Sequence, residues 1–257
     1  MDQYQRSPRT TPNRLSPVVE LRQYTLHPGK RDVLIDVFER HLVESQEETG
    51  MNIIGQFRDL DRPDHFVWMR GFDDMEARRQ ALETFYNGPV WRAHRDAANA
   101  TMIDSDDVLM LRPARPDAAF DLAGSSRGPQ DASSETPSPD RSVLLASIYH
   151  VKPDDEDIFG ARFESEAAPL LAILGAQPIA SYVTEHAQNT FARLPVRANE
   201  NVFVVFSRFA DPTALANHRA ALAASREWGA ISDQLGRHLS KPVESYPLVP
   251  TARSLLA

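Results

Sequence analysis

The chain carries one structural pattern twice, and this internal repeat constrains its fold more than any other feature of the sequence. In the first stretch the matching residues lie 125 positions apart: Tyr24 with Tyr149, Pro28 with Pro153 and Gly50 with Gly175. After a longer loop in the second copy the separation is a constant 137: Phe72 with Phe209, Trp91 with Trp228 and Pro113 with Pro250. Two matched copies predict a pseudo-symmetric body with two halves.

Composition excludes several classes of protein. The 257 residues include no cysteine, which excludes disulfides, thiolate metal sites and a cysteine nucleophile. The net charge of −8 argues against nucleic-acid binding, which usually needs a basic surface. No apolar run reaches the ~18–20 residues of a membrane helix. We therefore expect a cytoplasmic globular protein that contacts neither nucleic acid nor membrane.

Changes in composition along the chain mark the domain boundaries. Residues 1–17 are polar and are expected to form a disordered tail. The first copy spans residues 18–113 and the second, more degenerate copy spans residues 142–250. Between them, residues 114–141 are rich in Pro, Ser and Gly and read as a linker that cannot bury enough apolar surface to fold. Residues 251–257 are expected to form a second tail.

Each copy has the element order β-α-β-β-α-β. In the first copy the apolar periodicity predicts strands at 18–26, 52–58, 66–72 and 108–112. It predicts one helix from after Gly29 to about residue 48, with Gly50 as the helix stop, and a second helix from about 74 to 102 that is interrupted at 87–89. This order is the ferredoxin-like motif, an α+β fold with both helices on one sheet face. Two such repeats packed sheet to sheet would form a barrel with an enclosed cavity inside a single chain. The sequence therefore predicts a pseudo-dimer, and it leaves open whether whole chains associate further.

Alternation along the first strand separates two faces. We expect Val19 and Leu21 to lie against the helices, and Glu20, Arg22 and Tyr24 to point into the cavity. On the third strand the side chains expected in the cavity are Phe66, Trp68 and Arg70.

The second copy has lost most of these polar groups. Leu145 replaces Glu20, Ser147 replaces Arg22, Val205 replaces Trp68, and Ser207 replaces Arg70; the tyrosine alone is kept, as Tyr149. A mostly apolar cavity with a few polar groups is typical of a small-molecule site. The predicted substrate-binding residues are accordingly Arg22, Phe66, Trp68, Arg70 and Tyr149. The alternative is that Glu20, Arg22 and Arg70 form a structural ion network.

The residues of the first copy resemble the NIPSNAP family. The similar segments are the strand motif Glu20 to Tyr24, Pro28-Gly29, Trp68 and the stretch from Gly88 to Met102. The resemblance covers residues 18–113 well and residues 142–250 more weakly. It implies a dimeric α/β-barrel fold. It implies less about activity, because that barrel superfamily includes cofactor-free oxygenases, isomerases, decarboxylases, haem proteins and binding modules.

These observations support a leading hypothesis and two alternatives. In the first, the chain binds, and transforms, a small anionic or carbonyl-bearing molecule by cofactor-free proton-transfer or oxygen chemistry. Arg22 and Arg70 would hold an anionic or carbonyl oxygen. Tyr24 would donate a hydrogen bond to a developing enolate, and Glu20 or His94 would move a proton. The alternatives are a non-enzymatic protein-interaction module with a filled cavity, and a haem-binding barrel. No metal site or resident cofactor is expected, and the sequence does not fix a substrate or reaction.

Overall fold

The described part of the chain contains nine strands and six helices. The computed structural model describes residues 15–130 and 141–256. The strands are β1 (Val18–Leu26), β2 (Asn52–Asp59), β3 (His65–Phe72), β4 (Met102–Asp104), β5 (Val108–Pro113), β6 (Val143–His150), β7 (Gln177–Thr184), β8 (Val202–Phe209) and β9 (Glu244–Pro250). The helices are α1 (31–47), α2 (Met75–Tyr86), α3 (Pro89–Asn99), α4 (156–173), α5 (Pro212–Ala224) and α6 (Arg226–Gly236).

The first long helix of each copy has the same two features, a π-helical turn and a glycine after its end. The long helices α1 and α4 each contain a π-helical turn, at Phe38–Leu42 and at Phe163–Ala167. Both are followed by a glycine with positive φ, +96° at Gly50 and +94° at Gly175, a conformation that glycine adopts without steric cost. The predicted helix stop at Gly50 is therefore confirmed.

Strand pairing joins the two copies into one closed barrel. The strands follow the order β3-β2-β9-β6-β8-β7-β5-β1, and β1 pairs again with β3. All of these pairings are antiparallel. The halves meet at two seams, β2 with β9 and β5 with β7, and β4 extends the sheet beyond β1. The fold is thus a mixed α/β fold around a closed, antiparallel, eight-stranded barrel.

The barrel interior is packed with apolar side chains from both halves. The first half supplies residues that include Val19, Leu21, Val67 and Met69, and the second supplies residues that include Ala146, Ile148, Val204 and Phe206. Two further apolar layers lie between the barrel wall and the helices, one in each half. The interior is therefore a core, where the sequence had predicted an enclosed cavity.

The predicted orientation of the first strand is wrong. Val19 and Leu21 face the barrel interior, whereas Tyr24 and Trp68 pack with the helices of the first half. Alternation shows that the two faces differ but does not say which layer each one meets. The helix side can accept the charged face because the helices there carry their own polar partners, including Arg78.

Part of the predicted linker also belongs to the core. Phe120 packs its ring against Tyr182 and Phe206, with centroids 5.6 and 4.9 Å apart, and its backbone N–H donates to the Tyr182 hydroxyl at 3.1 Å. The sequence prediction missed this short apolar stretch because it rested on the Pro, Ser and Gly content of the whole segment. Residues 131–140 and the predicted N-terminal tail up to residue 14 lie outside the described residues.

The predicted C-terminal tail is packed against the first half. The Thr251 backbone N–H donates to the Gln56 carbonyl at 2.9 Å, and Arg253 pairs with Glu44 on α1. The last turn of the described chain therefore adds a further link between the halves, beside the two strand seams. Among the described helices, none combines the length and apolar character needed to cross a membrane.

Candidate functional site

Three of the predicted site residues, Glu20, Arg22 and Arg70, form a buried charge cluster with Arg78 between the barrel wall and the helices of the first half. Glu20 accepts hydrogen bonds from Arg22 Nη1 at 2.6 Å, Arg70 Nε at 2.8 Å and Arg78 Nε at 2.7 Å. Arg70 lies directly across from Glu20 in the pairing of β1 with β3, and Arg78 reaches the same carboxylate from α2. All four side chains are at most 1% exposed.

Each of the three arginines also donates to a neutral acceptor. The pairs are Arg22 Nε to the Tyr24 hydroxyl at 3.0 Å, Arg70 Nη1 to Gln46 Oε1 at 3.1 Å, and Arg78 Nη1 to Asn189 Oδ1 at 2.9 Å. Asn189 comes from the loop between β7 and β8, so the second half contributes to the cluster. Spreading the donors in this way lets a buried layer hold three guanidiniums around one carboxylate.

Glu20 stays ionised at neutral pH. Burial alone would raise the pKa of Glu20, but the guanidiniums of Arg70, Arg22 and Arg78 outweigh it and hold that pKa well below the usual range. Burial raises the pKa of Tyr24, against the opposing effect of Arg22, so the tyrosine stays protonated. Since Glu20 is saturated by arginines, the geometry matches the ion-network alternative; a ligand role for Arg22 or Arg70 stays a prediction.

Aromatic rings fill the space around the charges. Trp68 packs against Phe38 and Tyr24 with ring centroids 4.7 and 5.9 Å apart, and Phe66 packs against Phe38 at 5.5 Å. These edge-to-face contacts are the favourable geometry for aromatic pairs. Phe66 and Trp68 thus hold α1 on the barrel wall.

The predicted acid–base residue His94 has a different environment. It lies on α3 and stacks on His41 of α1, with ring centroids 3.8 Å apart and planes 9° from parallel. Burial lowers the pKa of His41, and the neighbouring His94 lowers it further. His94 therefore makes a helix–helix contact, and the structure does not bring it together with Glu20 and Tyr24.

The second half leaves a cavity in the corresponding layer. Its volume is about 600 Å³, and it lies between β6 and β8 on one side and α5 and α6 on the other. The lining includes Leu145, Ser147, Tyr149, Val205, Ser207, His218, Arg219, Leu222, Trp228, Ser232, Leu235 and Lys241. This volume falls within the ~300–1,000 Å³ of small-molecule pockets.

The cavity follows from the substitutions between the copies. Four of its lining residues, Leu145, Ser147, Val205 and Ser207, stand where the first half has Glu20, Arg22, Trp68 and Arg70. Each replacement is smaller or lacks the charged group that fills the layer in the first half. Tyr149 is the one predicted site residue that lines this cavity, and burial raises the pKa of its hydroxyl.

Sequence reasoning missed two residues of this cavity. His218 on α5 lines it and is 3% exposed; a lone histidine in an alanine-rich helix forms no recognisable motif. Trp228 repeats Trp91 of the first copy, yet Trp228 lines the cavity, whereas Trp91 packs against Phe85 and Tyr86. The sequence signal that could have predicted this cavity is the loss of side-chain volume at the matched strand positions of the second copy. Across residues 15–130 and 141–256, no group of three or more His, Asp or Glu side chains is arranged to hold a metal ion.

Comparison with known proteins identifies the first half. Residues 19–116 match the model of the NIPSNAP family. This half of the chain is a NIPSNAP domain. The match confirms the resemblance carried by the strand motif and by the Gly88 to Met102 stretch. No curated protein matches the chain in sequence.

Solved structures share the fold of the whole chain. A protein from Fusobacterium nucleatum that is provisionally named a monooxygenase has 11% identity and a TM-score of 0.59, over 93% of this chain and 94% of that one. An anthrone oxidase-like protein has 12% identity and a TM-score of 0.55, over 92% and 93%. A NIPSNAP family protein from Agrobacterium tumefaciens has 18% identity and a TM-score of 0.37, and it covers 46% of this chain and 92% of its own. At these identities the first two likenesses establish the fold alone.

Proposed function

We propose that this protein binds a small, mainly apolar organic molecule in the cavity of its second half. The observation that carries the proposal is the cavity of about 600 Å³ at the place where the NIPSNAP half is filled by charges and aromatic rings. We further infer that each half is a ferredoxin-like repeat. In this arrangement the first repeat, whose layer is filled, supports the fold, and the second repeat binds the ligand.

The lining matches such a ligand. Tyr149, Trp228 and several leucines offer apolar surface, while serines such as Ser147 and Ser207 offer hydrogen bonds. Arg219 and Lys241 are the charged residues of the lining, so an anionic or carbonyl oxygen would meet positive charge there. The names of the structural neighbours, a monooxygenase and an anthrone oxidase-like protein, are consistent with a ligand that is transformed after binding. Cofactor-free proton-transfer or oxygen chemistry remains our reading of that step.

A second candidate function draws on the filled barrel interior. An interaction module would have a packed core and a saturated Glu20, and both features are present. Under that reading the helices would meet a protein partner and the second-half cavity would stay empty.

Native mass spectrometry of the purified protein separates the two candidates. We expect a bound species of a few hundred daltons on the wild-type chain. Val205→Trp should remove it, because Val205 lines the cavity and the indole would occupy the space. Ile173→Trp is the matched control, since Ile173 is 80% exposed. Loss of the species in both variants, or an empty wild-type protein that also fails to bind added aromatic probes, would favour the interaction module. A haem-like absorption spectrum of the bound species would instead support the haem alternative.

A further inference from the structure

The hydrogen bonding of His218 gives the second-half cavity a specific chemistry. We infer that His218 accepts a proton from the ligand, and that the ligand is a ring compound with a weakly acidic hydroxyl, a phenol or an enol. The inference rests on the proposed function, because it needs the cavity to be a binding site. Neither the family match nor the similar structures assign this residue.

The tautomer of His218 follows from its partner. His218 Nδ1 lies 2.8 Å from the backbone carbonyl of Leu174, and a carbonyl oxygen only accepts, so Nδ1 carries the proton. In the neutral ring the lone pair is then at Nε2. Within the described residues no hydrogen bond involves Nε2, although the residue lines the cavity. Packing against Phe209, with centroids 5.2 Å apart, holds the ring plane.

The charges around the cavity favour an anionic product. The titratable lining residues are Tyr149 on β6, His218 and Arg219 on α5, and Lys241 after α6, whereas α4, β8 and β9 contribute only apolar residues and serines. The Arg219 Nη2 atom lies 3.6 Å from Asp61 Oδ2, and the Lys241 Nζ atom lies 3.2 Å from Glu200 Oε1. Neither carboxylate is among the lining residues, so the groups that face the ligand are neutral or positive.

The proton transfer needs no further reactant. The ligand O–H bond breaks, its electron pair stays on the oxygen, and the proton forms an N–H bond at His218 Nε2. The products are an imidazolium and a phenolate or enolate side by side. The transfer is reversible, because the same proton can return from Nε2 to the ligand oxygen.

A hydroxyanthraquinone dye tests this step directly. Alizarin has three fused rings, and its neutral and ionised forms absorb at different wavelengths. The main variant is His218→Asn, because the asparagine amide keeps a donor near the Leu174 carbonyl but has no basic nitrogen; His218→Gln is a second variant. His186→Gln, at an exposed position, is the control. Circular dichroism and the melting temperature verify that each variant is folded.

We expect alizarin to bind the wild-type protein with its ionisation midpoint lowered by about one pH unit, tenfold in the equilibrium. The shift should disappear in both His218 variants and persist in His186→Gln, while binding itself remains. Binding with the same lowered midpoint in a folded His218→Asn protein would overturn the inference and leave the proposed function standing. If the wild-type protein does not bind the dye, or if Val205→Trp binds it equally well, the proposed function and the inference fall together.

Discussion

The two halves share a backbone arrangement but differ in the layer between the barrel wall and the helices: side chains fill it in the first half, and a cavity lies in it in the second. In the first half the layer contains a carboxylate, three guanidiniums and a tryptophan, all at most 2% exposed. In the second half the corresponding strand positions are leucine, serine, valine and serine, and a cavity of about 600 Å³ replaces the side chains. Both halves keep the π-helical turn, the glycine stop and the same strand pairing.

The difference separates a filled layer that supports the fold from an open layer. Charges buried together give a rigid layer only while every partner is present, because a lone buried charge is costly. A layer without them can stay open only if its frame is held elsewhere, here by the shared barrel core and by the two strand seams. The polar half therefore supports the fold, and the plainer half has room for a ligand.

Removing the central carboxylate should break the first layer most severely. In Glu20→Gln the three guanidiniums lose their common partner, and we expect a loss of about 3–5 kcal/mol in the free energy of unfolding. Urea denaturation measures it. The control Asp32→Asn removes an exposed partner of Arg58 and should cost ~0–1 kcal/mol. Similar losses for the two variants would show that the cluster is not a supporting unit.

Exchanging the residues at one matched position should have unequal effects. Trp68→Val opens a void in a filled layer, and we expect a loss of about 3–5 kcal/mol. Val205→Trp enters an existing cavity and should cost less than the ~1–3 kcal/mol of overpacking a filled core. Thermal and urea unfolding of both variants compare the layers directly. An equal or larger loss for Val205→Trp would mean that the second layer is as tightly filled as the first.

Acid should weaken the first layer in a defined range. The pKa of Glu20 is lowered in the folded state, so its contribution to stability is fully present above the ordinary glutamate pKa of about 4.3. That contribution is lost as pH falls toward the lowered folded value. We expect the urea midpoint to drop between pH 5 and pH 3 by more in the wild-type protein than in Glu20→Gln. Parallel pH profiles would rule out Glu20 as the group responsible.

The tyrosines at matched positions of the two copies, Tyr24 and Tyr149, give the smallest contrast. Tyr24→Phe removes the acceptor of Arg22 Nε and should cost ~1–3 kcal/mol, since a buried donor is left unsatisfied. Tyr149→Phe should change the free energy of unfolding by less than ~1 kcal/mol and instead weaken alizarin binding by about 0.5–1.5 kcal/mol. Calorimetric titration with the dye, beside urea unfolding, checks both values. A larger stability loss for Tyr149→Phe would give its hydroxyl a structural role.

Much of this fold could be predicted from the sequence, because the repeat and the local signals agree. The bounds Val18–Leu26 for the first strand and the helix stop at Gly50 both match the structure. The strand orientation could not be predicted, since alternation defines two faces without naming their neighbours. The partners that decide it, Arg78 and Asn189, lie 58 and 111 residues from their contacts.

The candidate site was harder to predict than the fold. The sequence predicted a site at the charged residues of the first copy, and the arginines among them do cluster around Glu20. The cavity arises from what the second copy lacks, and unfilled volume is a property of three-dimensional packing that no single residue displays. His218 became a candidate only when its contact with Leu174 fixed the tautomer.

A crystal structure determined under xenon pressure would test the central claim most directly. Apolar cavities bind xenon, whereas filled layers do not. We predict density for xenon, or for a retained ligand, between β6, β8, α5 and α6, and none beside Glu20 in the first half. A second-half layer closed by side chains, or xenon bound within the charge cluster, would contradict the division into a supporting half and a binding half.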